Sequence, residues 1–378
     1  MIKPVLFTVL AFFTIQAFSS NNIDSLEKVL KTATGEQKVK TLNELFRAYI
    51  NSDPIKAIGF AREAQAMASD INDLKGMAAS YNNLGVSYRN QGALDKALEY
   101  YLISLRLYDS LKNVDGVATT KNNIGTIYSL KKDYGQAMKY FEDSYEQFTK
   151  MNEKQKIIGS LNNLGNLHSD LQLYEQALKY YSQALQMSDQ ISKISSDPLN
   201  NIGNLYFRQG NYQRAIEFYN RAMNLARKEN NQNTILNILA NLGEVYSKEG
   251  QGAKAQIYFD SAMTLCKELQ AYVYEPQILR NMAGNYYKQG KTKEAYDMMV
   301  RYDKAKEKIY GEESSRKIAQ MEIALDLQAR EKEVDTLKKD GKIKSLELHN
   351  TRMVITIIVL SALIALSLFN LFWHRKKG

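Results

Sequence analysis

Asn82-Asn83-Leu84-Gly85 decides the fold, because the chain says it repeatedly. The same four positions return as Asn122-Asn123-Ile124-Gly125, Asn162-Asn163-Leu164-Gly165 and Asn200-Asn201-Ile202-Gly203. They weaken to Ala240-Asn241-Leu242-Gly243 and end as Arg280-Asn281-Met282-Ala283. The successive steps are 40, 40, 38, 40 and 40 residues. A fixed period of this size belongs to stacked supersecondary units, none of which can bury its apolar face alone. Working outward, Tyr88, Gly92, Ala97 and Tyr101 follow the first tetrad. Tyr206, Gly210, Ala215, Tyr219 and Ala222 follow the fourth, and Tyr246, Gly250, Ala255, Phe259 and Ala262 the fifth. Gly92, Gly210, Gly250 and Gly290 stand where a helix end needs the left-handed conformation. Each unit therefore reads as two antiparallel helices and a short turn. A small residue after the Leu lets neighbouring helices approach closely, and the large Tyr and Phe side chains fill the space between pairs.

These residues resemble the tetratricopeptide repeat in its longer, 40-residue form, over roughly Leu45 to Tyr302. A worn earlier copy runs Leu45, Tyr49, Ala57, with Phe46 where Gly is expected and one residue fewer in its turn. The resemblance implies an all-α, right-handed superhelical solenoid of about seven tetratricopeptide-type helix pairs. Beyond the pairs, the sequence predicts a long charged helix and one transmembrane helix.

Composition narrows the function. Lys plus Arg number 50 against 41 Asp plus Glu, a net charge of +9 in 378 residues. Lys3, Arg375, Lys376 and Lys377 carry four of those charges at the two ends. The remainder is too mild and dispersed for nucleic-acid binding, which shows a concentrated basic stripe. Cys266 is the sole cysteine, so no disulfide framework exists within the chain, and a small buried residue is its expected role.

Residues 1–19 read as a secretory signal peptide: Lys3, then a nearly unbroken apolar run to Phe18, then a small-x-small site at Ala17-Phe18-Ser19. An uncleaved anchor is the competing reading, but the run is shorter than the ~20 residues of a span and Gln16 interrupts it. Residues 20–40 are expected to form a polar N-terminal cap, with a helix from Ile23 to Leu30 started by Asp24 or Ser25. The solenoid is expected over residues 41–308. Its one short step falls at Ser195-Ser196-Asp197-Pro198, where Pro198 suits the first turn of a helix and the step reads as a trimmed turn between repeats.

Residues 309–352 change character, with charges crowding in from Arg330. A helix of about 40 residues would reach ~60 Å. Leu327, Val334, Leu337 and Leu348 share one heptad register, but that register also places Arg330, Lys344 and Gly341 at core sites. A coiled coil that forms a homodimer and a single solvated stalk both remain open. Met353–Trp373 is uncharged and nearly all Leu, Ile, Val, Ala and Phe, the length and composition of a transmembrane helix in contact with the lipid bilayer. Residues 374–378 are a short basic tail. The positive-inside rule then places the tail in the cytoplasm and the repeats on the periplasmic side of the cytoplasmic membrane.

Little in the sequence points to catalysis, and neither an enzyme activity, a metal nor a cofactor is expected. His168 takes a position that other repeats fill with Tyr88, Tyr128, Tyr206, Tyr246 and Tyr286, so it reads as a packing substitution. Gly284 to Thr292 imitates a phosphate-binding loop but has one residue too many between its glycines and no strand before it.

The Asn series is the functional candidate. In tetratricopeptide domains the first helix of each pair lines a concave groove, and an Asn just before the Leu-Gly pair often grips the backbone of an extended peptide. The resemblance implies such a peptide-binding ladder at Asn83, Asn123, Asn163, Asn201, Asn241 and Asn281. A carboxamide offers donor and acceptor together, so it pairs with a peptide bond whatever the peptide's sequence. The alternative is that these Asn residues bond neighbouring helices and hold the superhelix together. Specificity would come from residues one turn on that vary between repeats, chiefly Arg89, Phe207 and Tyr287. The expected function is a membrane-anchored scaffold that binds a protein or peptide. The alternative, on the order of segments, resembles the sensory half of Bacteroidetes-type repeat-containing membrane sensor kinases and regulators. In that reading the chain lacks its own output domain and works with a membrane signalling partner.

Overall fold

The structure is a computed structural model. It describes residues 23–191 and 195–311, with 320, 334–345, 348–356, 358, 360 and 361. The chain divides into two units at Met321, and each is taken by itself.

In the first unit every described element is helical. A helix α1 (residues 23–32) precedes seven antiparallel pairs. These are α2 (Gly35–Tyr49) with α3 (Pro54–Asp70), α4 (Leu74–Asn90) with α5 (Leu94–Ser110), and α6 (Val114–Leu130) with α7 (Tyr134–Lys150). Then come α8 (Lys154–Asp170) with α9 (Tyr174–Asp189), α10 (Asp197–Arg208) with α11 (Tyr212–Lys228), and α12 (Gln232–Lys248) with α13 (Gly252–Glu268). A 3-10 turn at Tyr272–Tyr274 leads into α14 (Glu275–Lys288) and α15 (Thr292–Tyr310). The first pair begins at Gly35, inside the segment the sequence assigns to the cap, so α1 alone caps the array.

Local chemistry sets the helix ends. The side chains of Asp53, Asp73, Asn113, Asp133, Asn211 and Asn231 each accept a hydrogen bond from the backbone N–H three residues on, in the manner of an N-cap. Gly92, Gly210, Gly250 and Gly290 close the turns within pairs at φ of 74° to 78°. The loop-like Gly284 to Thr292 run is simply the end of α14 and one such turn.

One contact repeats through the core. The Gly after each Leu or Ile lies against the ring on its partner helix: a Cβ at Gly85 would sit 2.5 Å from Tyr101, and one at Gly203 2.6 Å from Tyr219. Gly125, Gly165 and Gly243 face Phe141, Tyr181 and Phe259 in the same way. The seventh pair has Ala283 for the Gly and Met299 for the ring. The first pair inverts the sizes, with buried Phe46 on α2 and buried Ala61 at the ring position of α3. The constraint is thus the summed volume of the two positions, as close packing demands. A second aromatic row stacks beside it. Tyr88 lies 5.3 Å from Tyr100, Tyr128 5.5 Å from Tyr140, Tyr206 5.4 Å from Phe218 and Tyr246 5.3 Å from Tyr258, centroid to centroid. His168 joins this row 4.9 Å from Tyr180, and its Nδ1–H donates to the Leu164 carbonyl at 2.9 Å.

The even-numbered helices pack on one another in succession from α2 to α14 and form the inner face of the array. The superhelix also meets itself. The backbone N–H of Val273, between the sixth and seventh pairs, donates to the Asn51 carbonyl in the turn of the first pair at 3.4 Å.

In the second unit, residues 334–345 and 348–356 are helical and exposed. The structure departs here from the expectation. Among the described residues no helix is long and apolar enough to cross a membrane. Most of Met353–Trp373 lies outside those residues, as do the signal peptide at 1–19 and the tail at 374–378. The expected transmembrane helix therefore drops out of the fold class. The periplasmic localisation and the bilayer contact, which rested on that helix, drop out with it. The length and apolar composition of Met353–Trp373 suggested the span, and neither requires that the segment form one continuous membrane helix.

Candidate functional site: the carboxamide groove

The Asn pairs bond chiefly to each other. Asn123 Nδ2 donates to Asn82 Oδ1 at 2.9 Å, Asn163 Nδ2 to Asn122 Oδ1 at 2.9 Å, and Asn241 Nδ2 to Asn200 Oδ1 at 3.1 Å. At the start of the array Asn83 Nδ2 donates to Asn43 Oδ1 at 2.7 Å. The second Asn of one pair thus reaches the first Asn of the preceding pair, making a rung between successive inner helices. Each rung satisfies a donor and an acceptor that would otherwise cost free energy on burial. Asn241 also donates to Asn204, and Asn281 accepts from Gln277 within its own helix.

The rung expected between α8 and α10 is missing. Asn162 is 9 % exposed and its Oδ1 is buried with no hydrogen-bond partner, and Asn201 makes no side-chain hydrogen bond. Here the repeat step shortens to 38 residues, and α10 is 12 residues long where α4, α6, α8 and α12 each have 17. Next to the missing rung lies a cavity of about 500 Å³, lined by residues of α6, α8, α10 and α12 and by Phe148 at the end of α7. Seven of its thirteen lining residues are Asn, which makes the wall a bed of neutral donors and acceptors. Its charged groups already have partners. Lys156 Nζ pairs with Asp115, and Asp197 Oδ1 accepts from Thr234 Oγ1 at 3.2 Å.

Of the sequence-nominated residues, the cavity gathers Asn163 and Asn201 and leaves out Asn83, Asn123, Asn241 and Asn281. The specificity trio does not converge. Arg89 donates to its neighbour Asn90, half-buried Phe207 packs against the core 5.8 Å from the Tyr212 ring, and Tyr287 is 73 % exposed on α14. Sequence reasoning missed Asn122, Asn162 and Asn200, the first member of each pair. The doubling of Asn was the available signal, because a single groove-facing amide per repeat does not require it.

Two tetratricopeptide repeat models match the sequence, one over residues 76–150 and 157–228 and another over 238–270. Over those residues, from α4 to α13, the helix pairs match tetratricopeptide repeats. Among solved structures, the Rap conjugation gene regulator of plasmid pLS20 in complex with the Phr* peptide is similar at 17% identity and a TM-score of 0.55, covering 72% of this chain and 74% of that one. Aspartyl phosphate phosphatase F from Bacillus subtilis is similar at 15% identity and 0.52, covering 82% and 86%. A Rap protein complexed with Competence and Sporulation Factor is similar at 14% and 0.50, covering 84% and 99%. At such identities these likenesses show a shared fold alone, and they do not bear on the resemblance to sensor kinases. No curated protein matches the sequence.

Proposed function

We propose that the tetratricopeptide array is a binding scaffold that takes an extended peptide segment against its inner helices, centred on α8 and α10. The observation that carries this reading is the carboxamide-lined cavity of about 500 Å³ in the inner face. Neutral amides that both donate and accept suit a peptide main chain, whose N–H and C=O groups need partners when taken out of water. The contact between Val273 and Asn51 brings the sixth and first pairs together, and an inner face enclosed in this way suits a narrow segment better than a globular partner. One similar solenoid, the pLS20 regulator, was solved in complex with the Phr* peptide.

Gly159 offers a clean test. It lines the cavity, is exposed, and a Cβ there meets nothing within 4 Å, so Gly159→Phe should fill the cavity without disturbing the fold. Gly284, exposed on α14 and equally open, serves as the control. Random peptides displayed on phage and selected on the full chain should yield binders that Gly159→Phe weakens at least tenfold and Gly284→Phe leaves alone. Selection that enriches nothing, or binders indifferent to Gly159→Phe, would reject the reading.

A further inference from the structure

The array meets itself at one place and lacks a bond at another, midway between its ends. The meeting point is a seam, where the Val273 N–H donates to the Asn51 carbonyl at 3.4 Å. Each lip of the seam is fixed to its own end of the array. Asn51 follows Tyr49, whose hydroxyl Glu27 and Lys56 hold, and the Ser52 and Asp53 N–H groups both donate to the Tyr49 carbonyl. On the other lip Tyr272 lies under Lys308 of α15, with Nζ 5.0 Å from the ring centroid. Tyr274 packs on the core that runs from Leu199 to Met282.

The absent bond is the rung between the fourth and fifth pairs. The other rungs run from Asn123 to Asn82, Asn163 to Asn122 and Asn241 to Asn200, so Asn201 should donate to Asn162. Instead Asn162 Oδ1 is buried without a partner. The helix that carries Asn201, α10, is the shortest of the paired helices at 12 residues. It meets α9 through the small core of Ala177, Tyr181, Ile202 and Leu205. A rung fixes the separation and register of the two inner helices it joins, whereas closing the array on itself fixes the sum of the rotations between pairs. The contact of α8 with α10 is the one that departs from the pattern, and so the one that takes up the difference.

We infer that the array is a two-position clamp, in which the seam at Asn51 and Val273 and the rung from Asn201 to Asn162 are alternatives. Pairs one to four and pairs five to seven move as two bodies about the contact of α8 with α10. In the closed position, the one in the structure, the seam is made and the rung is open. In the open position the rung is made, Asn162 Oδ1 gains its partner and the seam parts. Each position lacks about one hydrogen bond, so the two lie close in free energy: the seam bond is long, and a buried acceptor without a partner destabilises the form that contains it. The cavity lies at this same contact, so a molecule seated there holds the clamp closed. That consequence rests on the binding reading, whereas the clamp itself does not.

Hydrogen exchange of the full chain, followed by nitrogen–proton NMR under conditions where exchange tracks the opening equilibrium, tests this, because it reports openings that are rarely populated. The probe is the Val273 amide, whose acceptor lies across the seam. Asn201→Leu deletes the rung donor and breaks no side-chain hydrogen bond of the closed position. It should slow exchange at Val273 about tenfold, the equivalent of one hydrogen bond to a buried acceptor. The Asn231 amide, which donates to the Ala226 carbonyl in a turn within the fifth-to-sixth connection, should exchange as before. Asn162→Leu deletes the rung acceptor and should likewise slow Val273 alone. Exchange at Val273 that is unchanged or faster in either variant would overturn the inference. Equal slowing at Val273 and Asn231 would overturn it too, since that marks a general gain in stability. Peptide selection with Gly159→Phe reads binding separately, so either reading can fail alone.

Discussion

Tyr101, Tyr181 and Tyr219 occupy equivalent positions, yet their hydroxyls meet different neighbours. Tyr181 donates to Asn166 at 2.6 Å and Tyr219 to Asn204 at 2.7 Å, and in each case that Asn directly follows the Gly under the ring. Below Tyr101 the corresponding residue is Val86, and the Tyr101 hydroxyl is buried with no partner. Burial pushes its pKa up to about 12. Where the ring is Phe141 or Phe259, the residue after the Gly is Thr126 or Glu244, so the hydroxyl and its Asn come and go together except at Tyr101. Tyr101→Phe should therefore leave urea stability unchanged or raised, whereas Tyr181→Phe should lower it by about 1 kcal/mol. The volume rule between Gly and ring makes a second prediction. Gly203→Ala should cost about 1–3 kcal/mol through overpacking. Adding Tyr219→Met, the combination the seventh pair uses, should recover part of that loss in a double-mutant cycle. Cys266 is fully buried, its thiol donates to the Ala271 carbonyl at 3.2 Å, and burial pushes its pKa up to about 12. Thiol reagents at neutral pH should label it only as the protein unfolds.

At the scale of the element, α1 is held to the array by a compact polar cluster. Lys56 Nζ donates to Glu27 Oε1 at 2.8 Å and to the Tyr49 hydroxyl at 2.8 Å, and Tyr49 donates to Glu27 Oε1 at 2.7 Å. The hydrogen bond from Lys56, then that from Tyr49, holds the Glu27 carboxyl below the usual glutamate range. A depressed carboxylate stabilises the fold above its unfolded pKa, and that contribution disappears as pH falls through the folded value. For Lys56 burial works against the charge, but the bonds to Glu27 and Tyr49 outweigh it and the pKa is raised, so its share is lost only at strongly alkaline pH. Hydrogen exchange in residues 23–32 should accelerate relative to the rest of the array as pH falls below about 4. Exchange that stays in step with α2 would contradict this attachment.

The elements also show what a sequence can and cannot disclose. Periodic Leu-Gly and aromatic positions announced the helix pairs, and glycines announced four turns. Lys132 and Gln172 close equivalent turns at φ of 61°, with no residue signal at all, because a well-packed pair imposes the left-handed turn on whatever stands there. The Asn tetrads marked the right helices but not the right bonds. Which amide meets which depends on the register between successive inner helices, a relation that only packing sets. The open rung at Asn162 was likewise invisible, although the 38-residue step that accompanies it could be counted.

On the scale of the whole molecule, the Asn side chains of the inner helices hold successive pairs together. Three rungs join successive inner helices through Asn carboxamides, and a fourth at Asn83 ties the array's start. Exposed ion pairs between repeats, such as Lys131 with Asp95 and Arg208 with Asp170, add little by comparison, because solvent screens them. Replacing Asn123 or Asn163 by Ala should therefore act first on folding, since each closes a rung. The most direct test is a fluorescence anisotropy titration of a phage-selected peptide against the full chain and its Gly159→Phe and Gly284→Phe forms. Saturable binding to the parent protein and to Gly284→Phe is expected, with at least a tenfold loss in Gly159→Phe and no loss of helicity. Equal affinity for all three proteins would contradict it.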